Sequence, residues 1–95
     1  MLEKTIESKL VKLVAERGGM CLKFVSPGRA GVPDRIVIVP GGRVIFVELK
    51  TDGWRLSPVQ EFQHKQLRRL GADVRTLYGA AAVRAFVEEV FPDAV

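Results

Sequence analysis

The sequence predicts an α/β fold in which a central mixed β-sheet is flanked by helices, with the element order α-β-β-β-α-β-α. Three observations predict it. Two β-branched runs, Arg35–Val39 and Arg43–Lys50, stand on either side of Pro40-Gly41-Gly42. Apolar residues recur at helical spacing near both ends of the chain and again after Ser57-Pro58. Glycines and prolines fall between these periodic stretches rather than inside them. At 95 residues, 47% hydrophobic and 27% charged, the chain is sized for one compact domain, residues 1–95, and is too apolar to be disordered.

The first helix is expected over Thr5 to Arg17, where Ile6, Leu10, Leu13 and Val14 form one stripe and Gly18-Gly19 supplies a stop. Met20 to Ser26 alternates and reads as a strand, followed by the basic loop Pro27-Gly28-Arg29-Ala30-Gly31. The two β-branched runs then make a hairpin. Proline suits the first central position of a type I turn, and a following glycine suits a left-handed residue, so Val39 is expected to pair with Arg43. Ser57-Pro58-Val59-Gln60 combines an N-cap, a proline at the first helical position and a glutamine placed for a capping box. That helix runs through Phe62, Gln63, Gln66 and Leu70 to Gly71. Asp73 to Tyr78 is the last strand, and the stripe Val83, Phe86, Val87, Val90 and Phe91 makes a final helix that Pro92 ends.

Charge and cysteine content narrow the partners. A net charge of +4 and a pI near 9.6 permit nucleic acid without requiring it. Cys21 is the single cysteine, which excludes an intramolecular disulfide framework and a multi-cysteine zinc site and fits a reducing, cytoplasmic setting. No apolar run approaches the roughly 18–20 residues needed to cross a bilayer, so no membrane partner is expected.

The chemistry concentrates on the hairpin. Strand side chains alternate faces, so Glu48 and Lys50 emerge together, beside Val44 and Phe46. If Val39 opposes Arg43, the same register carries Asp34 opposite Glu48. Two carboxylates at that separation repel unless a cation sits between them, and oxygen ligands without thiolate or imidazole select Mg²⁺ or Mn²⁺. Such an ion stabilises charge on a phosphate under attack and acidifies a bound water, while Lys50 orients or polarises the attacking water. This set is suited to phosphodiester hydrolysis. A surface hairpin with alternating charges is the bland alternative; the apolar Val44 and Phe46 argue against it by placing the charges at the end of a core-facing row.

The string Val32-Pro33-Asp34-Arg35-Ile36, followed by Phe46-Val47-Glu48-Leu49-Lys50, resembles the PD-(D/E)xK nuclease signature. With Lys23-Phe24-x-Ser26-Pro27-Gly28, Gly31-x-Pro33-Asp34-Arg35 and Leu56-Ser57-Pro58-x-Gln60, the pattern resembles the VRR-NUC (virus-type replication-repair nuclease) family, particularly its small standalone phage members. The resemblance implies a restriction-endonuclease-like PD-(D/E)xK core. It implies that Asp34 and Glu48 ligate the metal with help from the main-chain carbonyl of Leu49, that Lys50 is catalytic, that Glu7 is the helix glutamate of the metal site, and that Gln60 belongs to the site. For standalone members it also implies a homodimer able to cut branched DNA such as four-way junctions.

Beside that resemblance, both Glu3 and Glu7 touch the apolar stripe of the first helix, and Glu7 is preferred because Glu3 lies at a fraying end. Lys23, Arg29, Arg35 and Arg55 put positive charge where phosphates must pass. Trp54 is read more readily as an anchor on the domain than as a platform for an unpaired base. His64 is placed on an exposed helix face, and Cys21 is read as a small buried hydrophobe. The favoured function is a metal-dependent DNA endonuclease acting on structured DNA. The alternatives are a nicking or flap nuclease of the same fold acting as a monomer, and a non-catalytic nucleic-acid-binding module.

Overall fold

A computed structural model describes residues 2–92. The element order is α1 (Glu3–Glu16), β1 (Met20–Lys23), β2 (Arg35–Val39), β3 (Arg43–Lys50), α2 (Pro58–Arg69), β4 (Asp73–Tyr78) and α3 (Gly79–Val90). The strands form one sheet in the order β1-β2-β3-β4. β1–β2 and β2–β3 are antiparallel, and β3–β4 is parallel. A parallel neighbour requires a crossover, which α2 supplies.

Apolar stripes on α1 and α3 cover one face of the sheet. Ile6, Leu10 and Val14 from α1 and Val83, Phe86, Val87 and Val90 from α3 pack with Val37, Val39, Ile45, Val47 and Leu49, and Cys21 packs at the edge of this core. Helix α2 lies on the other face, against β3 and β4, and leaves Met20, Leu22 and Val44 on the β1–β3 side exposed. The row Val44-Phe46-Glu48-Lys50 therefore belongs to the α2 face. It is not the end of the α1/α3 core, as the sequence suggested; that core takes the intervening residues Ile45, Val47 and Leu49, all with no exposed surface. β3 is apolar on both sides, so alternation alone does not say which side the main core takes.

Local chemistry sets the boundaries. α1 closes in a Schellman arrangement in which Gly19 N–H donates to Val14 C=O and Gly18 N–H to Ala15 C=O, both at 3.0 Å, with Gly18 at φ 82°. β1 stops at Lys23, earlier than the expected Ser26, although Phe24 N–H still donates to Asp34 C=O at 2.9 Å. The hairpin has the expected pairing of Val39 with Arg43. Its turn differs: Gly42 N–H donates to Val39 C=O at 2.9 Å, and Gly41, at the second central position, has φ 101°. Proline followed by a positive-φ glycine is the type II pattern, not the type I turn expected. The loop still contains three residues, so the register is unchanged.

Candidate active site

The hairpin register brings Asp34, one residue before β2, toward Glu48 near the end of β3. Glu48 is buried at 5% exposure. Lys50 Nζ lies 3.7 Å from Glu48 Oε2, and Gln60 Nε2 reaches the same oxygen at 3.3 Å. Leu49, between the two, has its side chain fully in the core and so holds the Glu48–Lys50 backbone in place.

Helix α2 is aimed at this centre by its own start. Gln60 N–H donates to Ser57 Oγ at 3.2 Å, and Ser57 N–H donates to Gln60 Oε1 at 2.9 Å, completing the capping box. Its two readings in the sequence are thus compatible: Oε1 is engaged by the cap and Nε2 faces the carboxylate. Gly31 explains the Gly-x-Pro-Asp spacing. Its φ is 88°, and a Cβ there would lie 2.6 Å from Val59 O and 3.1 Å from Gln60 N, so only glycine lets the loop before Asp34 rest on the first turn of α2.

The electrostatics follow from crowding two acids in a partly dry place. Burial first, opposed by the N–H groups of Leu49 and of Asp34 itself, raises Asp34 to about 6, with Glu3 adding to the rise and Lys50 subtracting. Glu48 is raised to about 7 by burial and then by the Asp34 charge, against Lys50. Asp34 Oδ1 and Glu48 Oε1 are both buried without a hydrogen-bond partner. Two facing carboxylates, each raised and each with an unpartnered oxygen, are the donor set that a hard divalent cation would satisfy. Among the described residues no group of three or more His, Cys, Asp or Glu side chains gathers around one point. Mg²⁺, which takes one or two carboxylates and keeps several waters, does not need such a group.

Four expectations are corrected. Glu7 is engaged elsewhere: its carboxylate pairs with Arg35 Nη2. The α1 acid whose charge bears on both Asp34 and Glu48 is Glu3. Helix α1 begins at Glu3, ahead of the expected Thr5, so Glu3 sits in a formed first turn, and Glu7, one turn on, meets the α1-facing Arg35. Arg35 is consequently held in an internal ion pair at 14% side-chain exposure and is not presented to phosphates, whereas Lys23, Arg29 and Arg55 are exposed. Finally, His64 is fully buried, with neither ring nitrogen partnered. Burial, then the charges of Arg68 and Lys50, hold its pKa below the usual histidine range. Its position one turn after Gln60 was the available signal, since the two share a helix face. Trp54 is 68% exposed and does not anchor the domain.

A family model of the VRR-NUC domain matches residues 2–81. The chain belongs to the VRR-NUC family. A protein named "Putative nuclease p44", from Acyrthosiphon pisum secondary endosymbiont phage 1, is 49% identical over 75 residues, covering 79% of this chain and 81% of that one. A solved VRR-NUC domain superposes with a TM-score of 0.86 at 29% identity, covering 93% of this chain and 96% of its own. A second, described as a VRR-NUC domain protein, superposes with a TM-score of 0.73 at 14% identity over 97% of this chain and 93% of its own, a likeness of fold alone. The VRR-NUC membership makes the four-stranded sheet and its helices a PD-(D/E)xK-like fold, and the domain a nuclease of a family that generally uses divalent metals.

Proposed function

We propose that this chain is a metal-dependent endonuclease that hydrolyses phosphodiester bonds in branched DNA, including four-way junctions, as a homodimer. The observation that carries the reading is the pair of buried, facing carboxylates with raised pKa values and unpartnered oxygens beside Lys50. A module that only binds a polyanion gains nothing from two acids there. Asp34 and Glu48 would hold Mg²⁺ or Mn²⁺, with the Leu49 carbonyl assisting and Glu3, in place of Glu7, bearing on the site from α1. When bound, the ion supplies a Lewis acid for the phosphate and a more acidic water.

The protein's own groups do the rest. Lys50 places a positive charge next to Glu48 and orients the attacking water. Gln60 fixes Glu48 Oε2 and leaves Oε1 for the ion. Lys23, Arg29 and Arg55 line the approach for the phosphate backbone. The exposed apolar side chains of Met20, Leu22 and Val44 give a second copy a surface to bury, which a four-way substrate with two strands to cut would use. The likeness to a phage protein named as a nuclease supports action on DNA in the cytoplasm of a phage host.

The test is to incubate the purified protein with linear, flapped and four-way DNA in Mg²⁺, in Mn²⁺ and in EDTA, and to measure its mass in solution by light scattering. Cleavage of four-way DNA by a dimer, abolished by EDTA, is the expected outcome. Flap cleavage or nicking by a monomer would move the reading to a different nuclease of the same fold. Binding without cleavage in either metal would defeat the catalytic assignment.

A further inference from the structure

A cleft of about 840 Å³ opens beside Lys50. Its lining includes Glu3 and Ile6 of α1, Lys50, Asp52 and Trp54 from the end of β3 and the loop after it, and Ala80 in the first turn of α3. Clefts of this size accommodate small organic molecules, which makes a base with its sugar a reasonable occupant.

Trp54 is presented to this space and not stored. Its indole is 68% exposed, an unfavourable state for so large an apolar surface. The loop that carries it is a tight turn, closed by Trp54 N–H donating to Thr51 C=O at 3.2 Å with Gly53 at φ 88°. The ring is therefore held out on a short, defined turn next to the proposed catalytic lysine.

The charges around the cleft select the kind of ligand. The start of α3 has no side-chain N-cap hydrogen bond, which ordinarily favours an anion. That position is already taken by the protein: a Cβ on Gly79 would lie 2.9 Å from Asp52 Oδ1 and 3.0 Å from Oδ2. Glu3 adds a second negative group to the lining. With the Lys50 ammonium of the lining already paired to Glu48, a phosphate entering between the Glu3 and Asp52 carboxylates would be repelled, whereas a flat, uncharged ring with amino groups could stack on the indole and donate to Asp52. Nucleobases have that chemistry.

We infer that the cleft receives a single unpaired nucleobase of the strand being cut, stacked on Trp54, so that the chain favours DNA whose pairing is interrupted next to the scissile phosphate. The inference rests on the nuclease reading above and deepens it by naming the substrate class. Branch points supply such bases, because pairing and stacking are interrupted or readily opened there.

The experiment compares wild type, Trp54→Ala and Trp54→Phe on three DNAs of one sequence. These are a perfect duplex, a duplex with an unpaired stretch bordering the cut, and the latter with an abasic residue next to the scissile phosphate. Binding is measured in Ca²⁺ and cleavage in Mg²⁺. Trp54→Ala is expected to weaken binding to the unpaired substrate by roughly 5- to 150-fold, from about 1–3 kcal/mol per stacked base, with a much smaller effect on duplex. The abasic substrate should bind wild type as poorly as the intact one binds Trp54→Ala, and Trp54→Phe should recover most of the loss. Equal losses on duplex and unpaired DNA, or an abasic substrate bound as well as the intact one, would overturn the inference while leaving the nuclease reading in place. Failure of wild type to cut any substrate in Mg²⁺ or Mn²⁺ would remove the nuclease reading and this inference with it.

Discussion

The two ends of β3 handle carboxylates in opposite ways. At its start, Asp73 has both oxygens occupied: Arg75 Nε at 2.7 Å from Oδ1 and Arg43 Nη2 at 2.8 Å from Oδ2, with Arg75 also 2.9 Å from Glu89. The hydrogen bond from Arg75, then that from Arg43, holds the Asp73 pKa below its ordinary value, against burial. At the other end Asp34 and Glu48 share one lysine, are raised to about 6 and about 7, and each keep an unpartnered buried oxygen. One end is balanced and holds the sheet together. The other is a local excess of negative charge that the fold tolerates, and such an excess marks where an external cation would be stabilising.

The largest test of that contrast is removal of the lysine at the crowded end. Lys50→Ala should lower cleavage by roughly 10²- to 10⁴-fold while DNA binding, followed by fluorescence anisotropy, stays near wild type. Asp34→Ala should additionally lose Mn²⁺ binding in titration calorimetry. Full activity in either variant would remove the assignment. Adding one residue to Pro40-Gly41-Gly42 should reduce cleavage to background with the sheet retained by circular dichroism, because it turns Asp34 to the opposite face from Glu48.

Smaller effects sharpen the comparison from the stability side. In metal-free protein at pH 8, Glu48→Gln should stabilise by on the order of 2 kcal/mol, since it removes a charge that folding desolvates beside another. Asp73→Asn should destabilise by about 1 kcal/mol or less, as expected for a partly exposed ion-pair network. Urea titrations of the two variants would separate these signs. The pH dependence should show the same opposition. Asp34 and Glu48 bind protons more tightly folded than unfolded, so their contribution is fully present below about pH 4 and is lost as pH rises through about 6 and about 7. Asp73, with a lowered pKa, contributes above the ordinary aspartate range and loses that contribution on acidification. Denaturation of the metal-free protein across this range should therefore show stability falling toward neutrality, and Mg²⁺ should reverse the fall.

Much of the fold was legible because its signals are local. The glycine stop after α1, the three-residue hairpin loop, the Ser57–Gln60 cap and the apolar stripe of α3 each specify geometry within a few residues, and all four recur in the structure. What escaped depends on long-range docking. Leu2 precedes Glu3 with no side-chain cap, so nothing local marks the true start of α1, and the choice between Glu3 and Glu7 turns on an ion pair with Arg35, 28 residues away. His64 sits among polar neighbours in sequence and becomes buried only when α2 meets the sheet. The exposure of Trp54 has no local signal, because a large aromatic is ordinarily covered and a turn that holds one in water has no distinctive composition.

The shared amide of Gln60 ties a secondary-structure boundary to the reaction centre. Because its oxygen closes the first turn of α2 and its nitrogen restrains Glu48, fraying of that single turn would release the carboxylate while the sheet remained intact. Heat should accordingly silence the protein before it melts it, with the opening residues of one short helix acting as the thermal fuse.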